Sequence, residues 1–184
     1  MIKHLLFLPF TAVLLPSALC AQSADADIER TMLAAPASLH AEATILELRP
    51  DGSTAVLRKG SNDLICWDNE GRPGQMAPFD IQCTAKANRP RLEQNHAFES
   101  AGGTVAEILA RFERAEADGT RALSVWGSIY YHVYGDSAQD YQNHTVVAVP
   151  YATRGLGFPI ARGPAMLWLM EAGTSGAHLM VSGR

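Results

Sequence analysis

The sequence predicts an α+β domain with an antiparallel sheet, two or three helices packed on one side of that sheet, and one disulfide. Three observations lead to this fold class. β-prone segments separated by polar turns occupy both ends of the chain, a central segment has helical periodicity, and two cysteines precede the helical segment. Strands and helices that are grouped apart from each other are typical of α+β domains.

The first β region begins with a predicted hairpin. Residues 43–48 and 54–58 are β-prone and flank a turn-forming cluster at residues 50–53. Two such segments joined by a short Pro/Asp/Gly turn indicate antiparallel pairing. Residues 64–67 are predicted to form a further short strand, followed by an irregular loop over residues 71–78.

Helical periodicity covers residues 88–118. Pro90 suits the first turn of a helix, because the proline lacks only a backbone donor that is unpaired there in any case. Thr104 and Glu107 have the spacing of a capping box, so a second helix begins at Thr104. The predicted buried stripe of this helix consists of Val105, Ile108, Leu109 and Phe112. Gly119 suits the left-handed position that ends a helix.

The C-terminal third is predicted to be β. Apolar and polar residues alternate over residues 123–134, which is the period of a strand with one buried face. A polar loop is expected over residues 135–143, and a strand over residues 144–149. The last hairpin is predicted from residues 165–170 and 177–181, with the turn at residues 173–176.

Residues 1–21 are predicted to be a secretory signal peptide. Lys3 supplies the positive start, residues 5–15 are apolar, and small residues precede cleavage after Cys20 or Ala21. The apolar stretch is shorter than the ~20 residues that a spanning helix needs, so no transmembrane segment is expected in the mature protein. Residues 22–41 are interpreted as an N-terminal lead-in with a short helix, and residues 42–184 as a single domain.

Cys20 leaves a second possibility open, a lipoprotein whose mature N-terminus is that cysteine. Lipid attachment favours a small residue before the cysteine, and Leu19 is bulky, so release into the periplasm or the medium is the favoured expectation. The chain has a net charge of −4 with scattered basic residues. This charge distribution does not indicate nucleic-acid binding. The expected partner is an unknown small molecule or an envelope protein.

Removal of the leader leaves two cysteines, Cys66 and Cys83. In an oxidising compartment an even pair predicts a disulfide. A redox or metal-ligating pair is the alternative, but the spacing is not Cys-x-x-Cys and two thiols alone make a poor zinc site. No cofactor and no metal are predicted.

Polar aromatic residues and histidines of the C-terminal strands form the candidate ligand site. If residue 132 pairs with residue 146, His132, Tyr134 and His144 share one face of the sheet. Trp126 and Tyr130 lie further along the same strand segment, and His178 joins them if the last strand is adjacent. Such a cluster suits ligand binding, acid–base work or a metal, although Tyr, Trp and His are also common on partly exposed sheet faces.

Motifs for nucleophilic catalysis and phosphate binding are missing from the sequence. Residues 173–176 read Gly-Thr-Ser-Gly, in which the last glycine comes one residue too early for a nucleophile elbow. The leading hypothesis is therefore a non-enzymatic domain that binds a small ligand or a protein in the cell envelope. The competing hypothesis is an envelope hydrolase or metal-dependent enzyme that uses His132, His144 and His178.

Two segments resemble a family of exported bacterial proteins of unknown function. Residues 56–66 are similar to its opening, Leu-Arg-x-Gly-x-Asn followed by Cys, and the segment from Gly163-Pro164 to Met180 is similar to its ending. The resemblance extends over residues 43–181, and the chain departs from the pattern at residues 84–86 and 175–176. It implies the fold and the compartment but no chemistry. The residues that match its motifs and therefore become candidates for a role are Arg58, Asn62, Trp168 and His178.

Overall fold

The computed structural model describes residues 18–163 and 167–182, so most of the predicted signal peptide lies outside the described residues. The helices are α1 (Ala18–Thr31), α2 (Arg89–Ser100) and α3 (Val105–Ala117). The strands are β1 (Thr44–Leu48), β2 (Thr54–Arg58), β3 (Leu64–Asp68), β4 (Phe79–Ala85), β5 (Ile129–Ser137), β6 (Asp140–Ala148), β7 (Leu167–Met170) and β8 (His178–Ser182). None of the helices in this part of the chain is both long and apolar enough to cross a membrane.

The strands form one sheet of eight in the order β2-β1-β3-β4-β5-β6-β8-β7. Every neighbouring pair is antiparallel except β1 and β3, which run parallel. The α+β class and the predicted β1–β2 hairpin are thus confirmed. The parallel pair was not expected. The chain reverses between β1 and β2 and reverses again over residues 59–63, so β3 runs in the same direction as β1 and lies beside it.

The helices cover both faces of the sheet. Ile28 of α1 packs on the face that carries Cys66, whereas Leu92 of α2 packs with Ile65 and Trp67 on the other face. Adjacent residues of a strand point to opposite faces, so the two helices lie on opposite sides. Helix α3 packs on α2, and α2 and α3 therefore form the predicted helical layer on one side of the sheet.

Helix α1 begins at Ala18, within the predicted signal peptide, and ends at Thr31. It therefore includes residues 22–31 of the predicted N-terminal lead-in. Cleavage after Cys20 or Ala21 would remove only about its first turn. Ile28 and Met32, which pack against the sheet, lie beyond both cleavage positions.

The predicted disulfide is present between Cys66 and Cys83, two directly paired residues of β3 and β4. Both cysteines are fully buried, with a Cα–Cα distance of 4.0 Å. The bond therefore joins two neighbouring strands and does not merely restrain a loop. Strand β4 itself was not predicted. Its residues on the side of α2 are polar, and they are buried or half-buried only because other segments of the chain contact them: Asp80, Gln82 and Thr84.

The capping box of α3 is confirmed, with the Glu107 backbone N–H donating to Thr104 Oγ1 and Glu107 Oε2 accepting from the Thr104 backbone. Its predicted buried stripe is partly wrong. Ile108 is buried, but Val105 is 68% exposed and Leu109 is 54% exposed. The reason is that α3 packs on another helix, which covers a narrower strip of its surface than a sheet would.

The β5–β6 hairpin also differs from the expectation. Strand β5 begins at Ile129, and residues 123–128 are irregular, with Leu123 and Val125 exposed. The predicted loop over residues 135–143 instead continues both strands to a tight turn between Ser137 and Asp140. This end of the hairpin is largely exposed, so its polar sequence has no buried face that would have marked it as strand.

Candidate functional site

A cavity of about 570 Å³ lies between the sheet and α2, and we refer to it as the sheet–helix cavity. Its walls come from β3 to β6, from β8, from α2, and from the loops that precede β4 and β8. A cavity of this volume is of the size that accommodates a small organic molecule. The two edge strands β2 and β7 contribute little, so the centre of the sheet shapes the site.

The sheet–helix cavity brings together four of the six predicted ligand-site residues. Tyr130, His132, His144 and His178 line it. The ring of Tyr134 lies 5.1 Å from each of the His132 and His144 ring centroids. Trp126 is not part of the site, since it lies in an irregular segment and is 64% exposed.

The register that brings these residues together differs from the expected one. His132 pairs with His144, not with Val146, and Tyr130 is the residue opposite Val146. The pairing is displaced by two residues, and an irregularity between Gly135 and Ser137, next to the turn, contributes to this displacement. A shift by two residues preserves the face of every side chain, whereas a shift by one would have inverted it.

His132 links His144 to a buried carboxylate. Its Nε2 lies 2.8 Å from Asp80 Oδ1, and its Nδ1 lies 3.2 Å from His144 Nε2. Asp80 is 0% exposed and His132 is 5% exposed, while His144 is only half-buried at the cavity wall. The three residues therefore form a hydrogen-bonded chain that runs from the interior to the cavity.

Asp80 accepts two further hydrogen bonds. The Met76 backbone N–H donates to Oδ2 at 2.6 Å, and Asn69 Nδ2 donates to Oδ1 at 2.9 Å. Burial by itself would raise the pKa of Asp80, but the bonds from His132, Met76 and Asn69 outweigh burial and lower the pKa. Asp80 is consequently ionised at neutral pH, and His132 donates its Nε2 proton to it.

His144 is neutral at neutral pH. Burial, together with the nearby imidazoles of His132 and His178, lowers the pKa of His144 to about 4. With one proton on each ring, the proton of His132 lies on Nε2 and is donated to Asp80, so His132 Nδ1 accepts from His144 Nε2. His144 Nδ1 has no hydrogen-bond partner within residues 18–163 and 167–182, and it then carries a free lone pair.

Arg91 of α2 brings a positive charge to the same cavity. Its Nη1 donates to the Ala122 carbonyl at 2.8 Å and to Ser175 Oγ at 3.0 Å. It makes no ion pair with any residue that the structure describes, although Glu116 and Glu171 lie near enough to act on its pKa. Burial lowers the pKa of Arg91, but a guanidinium remains charged in proteins.

Three other charged side chains line the cavity: Arg72 and Glu99 are paired with each other, whereas Glu171 is exposed and makes no ion pair with a described residue. Arg72 forms an ion pair with Glu99, and its Nη1 also donates to Asn69 Oδ1 at 2.7 Å. Burial raises the pKa of Glu99, while the adjacent Arg72 acts in the opposite direction. Arg72 is therefore paired with a carboxylate, whereas Arg91 has no carboxylate within ion-pair distance among the described residues.

The metal alternative finds no ligand set in the described ranges, where no three His, Cys, Asp or Glu side chains are grouped so that they could hold an ion. Both ring nitrogens of His132 are already hydrogen-bonded, to Asp80 and to His144. His178 Nδ1 lies 2.8 Å from the Gly176 carbonyl. The geometry of these histidines is thus that of a hydrogen-bonded chain, with His178 beside it.

The motif residues near β2 have a structural role. Arg58 Nη2 donates to the Ala43 carbonyl at 3.1 Å, and Asn62 Nδ2 donates to the Leu39 carbonyl at 2.9 Å. Between them, a Cβ at Gly60 would lie 2.0 Å from a backbone oxygen. Arg58, Gly60 and Asn62 together hold the segment that enters β1. None of these three residues lines the sheet–helix cavity.

The two remaining motif residues lie at different places. His178 lines the sheet–helix cavity, whereas Trp168 of β7 lines a separate depression of about 430 Å³ near residues 154–160. The motifs of the sequence therefore do not converge on one site.

Sequence reasoning missed Asp80 and Arg91. Asp80 belongs to the unpredicted strand β4, where a carboxylate on an otherwise β-prone segment was the available signal. Arg91 follows Pro90 in the first turn of α2 and has no distinguishing pattern in the sequence. No family model, curated protein or solved structure matches the chain.

Proposed function

We propose that the protein is an exported binding protein, periplasmic or secreted, whose sheet–helix cavity takes a small molecule bearing a carboxylate or phosphate group. The observation that carries the proposal is Arg91, a half-buried guanidinium on the cavity wall that makes no ion pair with a described residue. A buried charge is costly unless it is paired, so an anionic ligand is the natural partner of Arg91.

The surroundings of Arg91 suit such a ligand. Ser175 Oγ is hydrogen-bonded to Arg91, and the Tyr130 hydroxyl and Ser124 Oγ form a bonded pair at 2.8 Å on the cavity wall. These groups offer hydroxyl donors beside the guanidinium, and the apolar side chains of Leu92 and Met180 complete the lining. More than half of the residues that line the cavity are polar or charged, and a concave site with such a wall favours a small polar ligand over a protein partner.

Thermal unfolding in the presence of anions tests this proposal. We expect inorganic phosphate or citrate to raise the Tm of the mature protein in a concentration-dependent manner, because a ligand that binds only the folded state stabilises it. Sodium chloride at the same ionic strength controls for screening. Arg91→Gln should abolish the shift. Arg89→Gln should retain it, because Arg89 lies on the same helix but pairs with Glu93 and does not line the cavity.

An anion-dependent shift that is equal in Arg91→Gln and in the unaltered protein would contradict the role of Arg91. The absence of a shift with a broader set of carboxylates and phosphate monoesters would contradict anion binding altogether. Both variants must unfold cooperatively for the comparison, which the same melting curves show directly.

Export is the second component of the proposal, and it is supported by the leader-like residues 1–21 and by the disulfide, since such bonds persist in oxidising compartments. We expect the intact mass of protein recovered from outside the cytoplasm to correspond to a chain that starts at Ala21 or Gln22. A chain that retains residues 1–20 would contradict cleavage. A mass that corresponds to acylated Cys20 would contradict release and identify a lipoprotein.

A further inference from the structure

We infer that the sheet–helix cavity is a hydrolytic centre in which His144 is the general base, its proton being passed through His132 toward Asp80. The inference rests on the proposal that this cavity is the ligand site. The substrate class is an ester of a small anionic acid, whose charged group Arg91 would hold. The geometry that carries the inference is the unbroken chain of hydrogen bonds from buried Asp80 to half-exposed His144.

Each residue of the chain has a separate part. Asp80 is ionised and fixes the His132 tautomer by accepting from Nε2, so that His132 Nδ1 is free to accept a proton. His144 Nε2 faces this Nδ1 at 3.2 Å. The remaining nitrogen, His144 Nδ1, has no protein partner among the described residues, and it belongs to a side chain that lines the cavity.

The hydrolytic step balances with water as the second reactant. A water molecule transfers a proton to His144 Nδ1 while its oxygen bonds to the acyl carbon of the ester. The Nε2 proton of His144 moves to His132 Nδ1, and the positive charge comes to lie beside the Asp80 carboxylate. When the tetrahedral intermediate collapses, the bond to the leaving alcohol breaks, and the proton returns by the same path to the alcohol oxygen.

The relay accounts for a feature that a single histidine could not provide. His144 alone is a weak base, because burial and neighbouring imidazoles disfavour its charged form. Transfer of the proton to His132 places the positive charge on the ring that lies 2.8 Å from the Asp80 carboxylate, a contact that His144 does not make. Asp80 and His132 are therefore positioning residues, and His144 is the residue that would touch water and substrate.

Hydrolysis of two chromogenic esters tests the inference. The probes are p-nitrophenyl benzoate, which is neutral, and the mono-p-nitrophenyl ester of terephthalic acid, whose carboxylate cannot reach its own acyl carbon; both rates are corrected for hydrolysis without protein. We expect the protein to hydrolyse the anionic ester faster than the neutral one, and His144→Gln to lower kcat at least roughly tenfold, since general-base catalysis typically contributes about 10²–10⁴-fold. The rate should fall in D₂O, because a proton moves in the rate-determining step.

His40→Gln is the matched control for non-specific reaction of an imidazole with these esters. His40 is a partly exposed histidine that bonds the Ala35 carbonyl at 2.7 Å and does not line the cavity. We expect its rates to equal those of the unaltered protein. Asp80→Asn should lower kcat, leave KM nearly unchanged, and move the pH–rate profile, which a merely structural role would not do.

Three outcomes would overturn the inference. Equal rates for the unaltered protein and a folded His144→Gln variant would contradict the assignment of His144 as the general base. A His144 that carries the acyl group of either ester, detected by mass spectrometry, would show that His144 acts as a nucleophile and not as a base. An unchanged pH–rate profile in Asp80→Asn would remove the relay.

The failures of the two proposals are distinguishable. Anion-dependent stabilisation through Arg91 without His144-dependent hydrolysis would leave a binding protein and overturn the catalytic inference. Hydrolysis that depends on His144 but is equal for the neutral and anionic esters, without stabilisation through Arg91, would overturn the anion site and support the base.

Discussion

Asp80→Ala is expected to lower the free energy of unfolding by about 3–5 kcal/mol, because three buried donors lose the carboxylate that they share. The substitution leaves the donors of His132, Asn69 and Met76 without their common acceptor. Each buried donor that loses its partner costs about 1–3 kcal/mol. Urea unfolding near neutral pH, with the midpoint and slope compared to those of the unaltered protein, measures the loss.

Asp80→Asn is the matched control, because its side-chain oxygen can still accept while the charge is removed. We expect a smaller loss than in the alanine variant. A loss below about 1 kcal/mol for Asp80→Ala would be less than the cost of one unsatisfied donor, and it would contradict the hydrogen-bonded arrangement described here.

The double substitution Cys66→Ala and Cys83→Ala is expected to lower the free energy of unfolding by about 3 kcal/mol, which is the chain-entropy value for a loop of this size. The two cysteines are 17 positions apart, so the disulfide closes a short segment of the unfolded chain. Alanine is the appropriate replacement, because both positions are fully buried and a serine hydroxyl would lack a partner there.

Urea unfolding with and without a thiol reductant provides the control. Reductant should lower the unfolding midpoint of the unaltered protein and leave that of the double alanine variant unchanged. For this comparison the unaltered protein is first unfolded and fully reduced, and its unfolding midpoint is then measured in reductant. A midpoint equal to that of the oxidised protein would contradict a stabilising role for the disulfide.

Both large effects depend on β4. Cys83 points from this strand to the side of α1, where it is bonded to Cys66, and Asp80 points to the side of α2, where it holds His132. The strand is central, paired with β3 on one side and β5 on the other. Strand β4 therefore carries a disulfide cysteine on its face toward α1 and the buried carboxylate of Asp80 on its face toward α2.

The sequence by itself determined the features that depend on local patterns. The turn cluster at residues 50–53 predicted the β1–β2 hairpin, and the spacing of Thr104 and Glu107 predicted the start of α3. Two-residue periodicity placed His132 and His144 on one face even though the predicted register was displaced by two residues. Local periodicity specifies which face a side chain takes, and that property survives such a displacement.

The tertiary structure decided which residues meet. That His132 bonds Asp80, that Cys83 lies on a strand opposite Cys66, and that Arg91 lines the cavity without an ion pair all depend on contacts between distant segments. Such contacts are set by the order of strands in the sheet and by the packing of α2 upon it, for which the neighbouring residues in the chain give no signal. The candidate base and its relay therefore combine two histidines visible in the sequence with a carboxylate that only the fold brings to them.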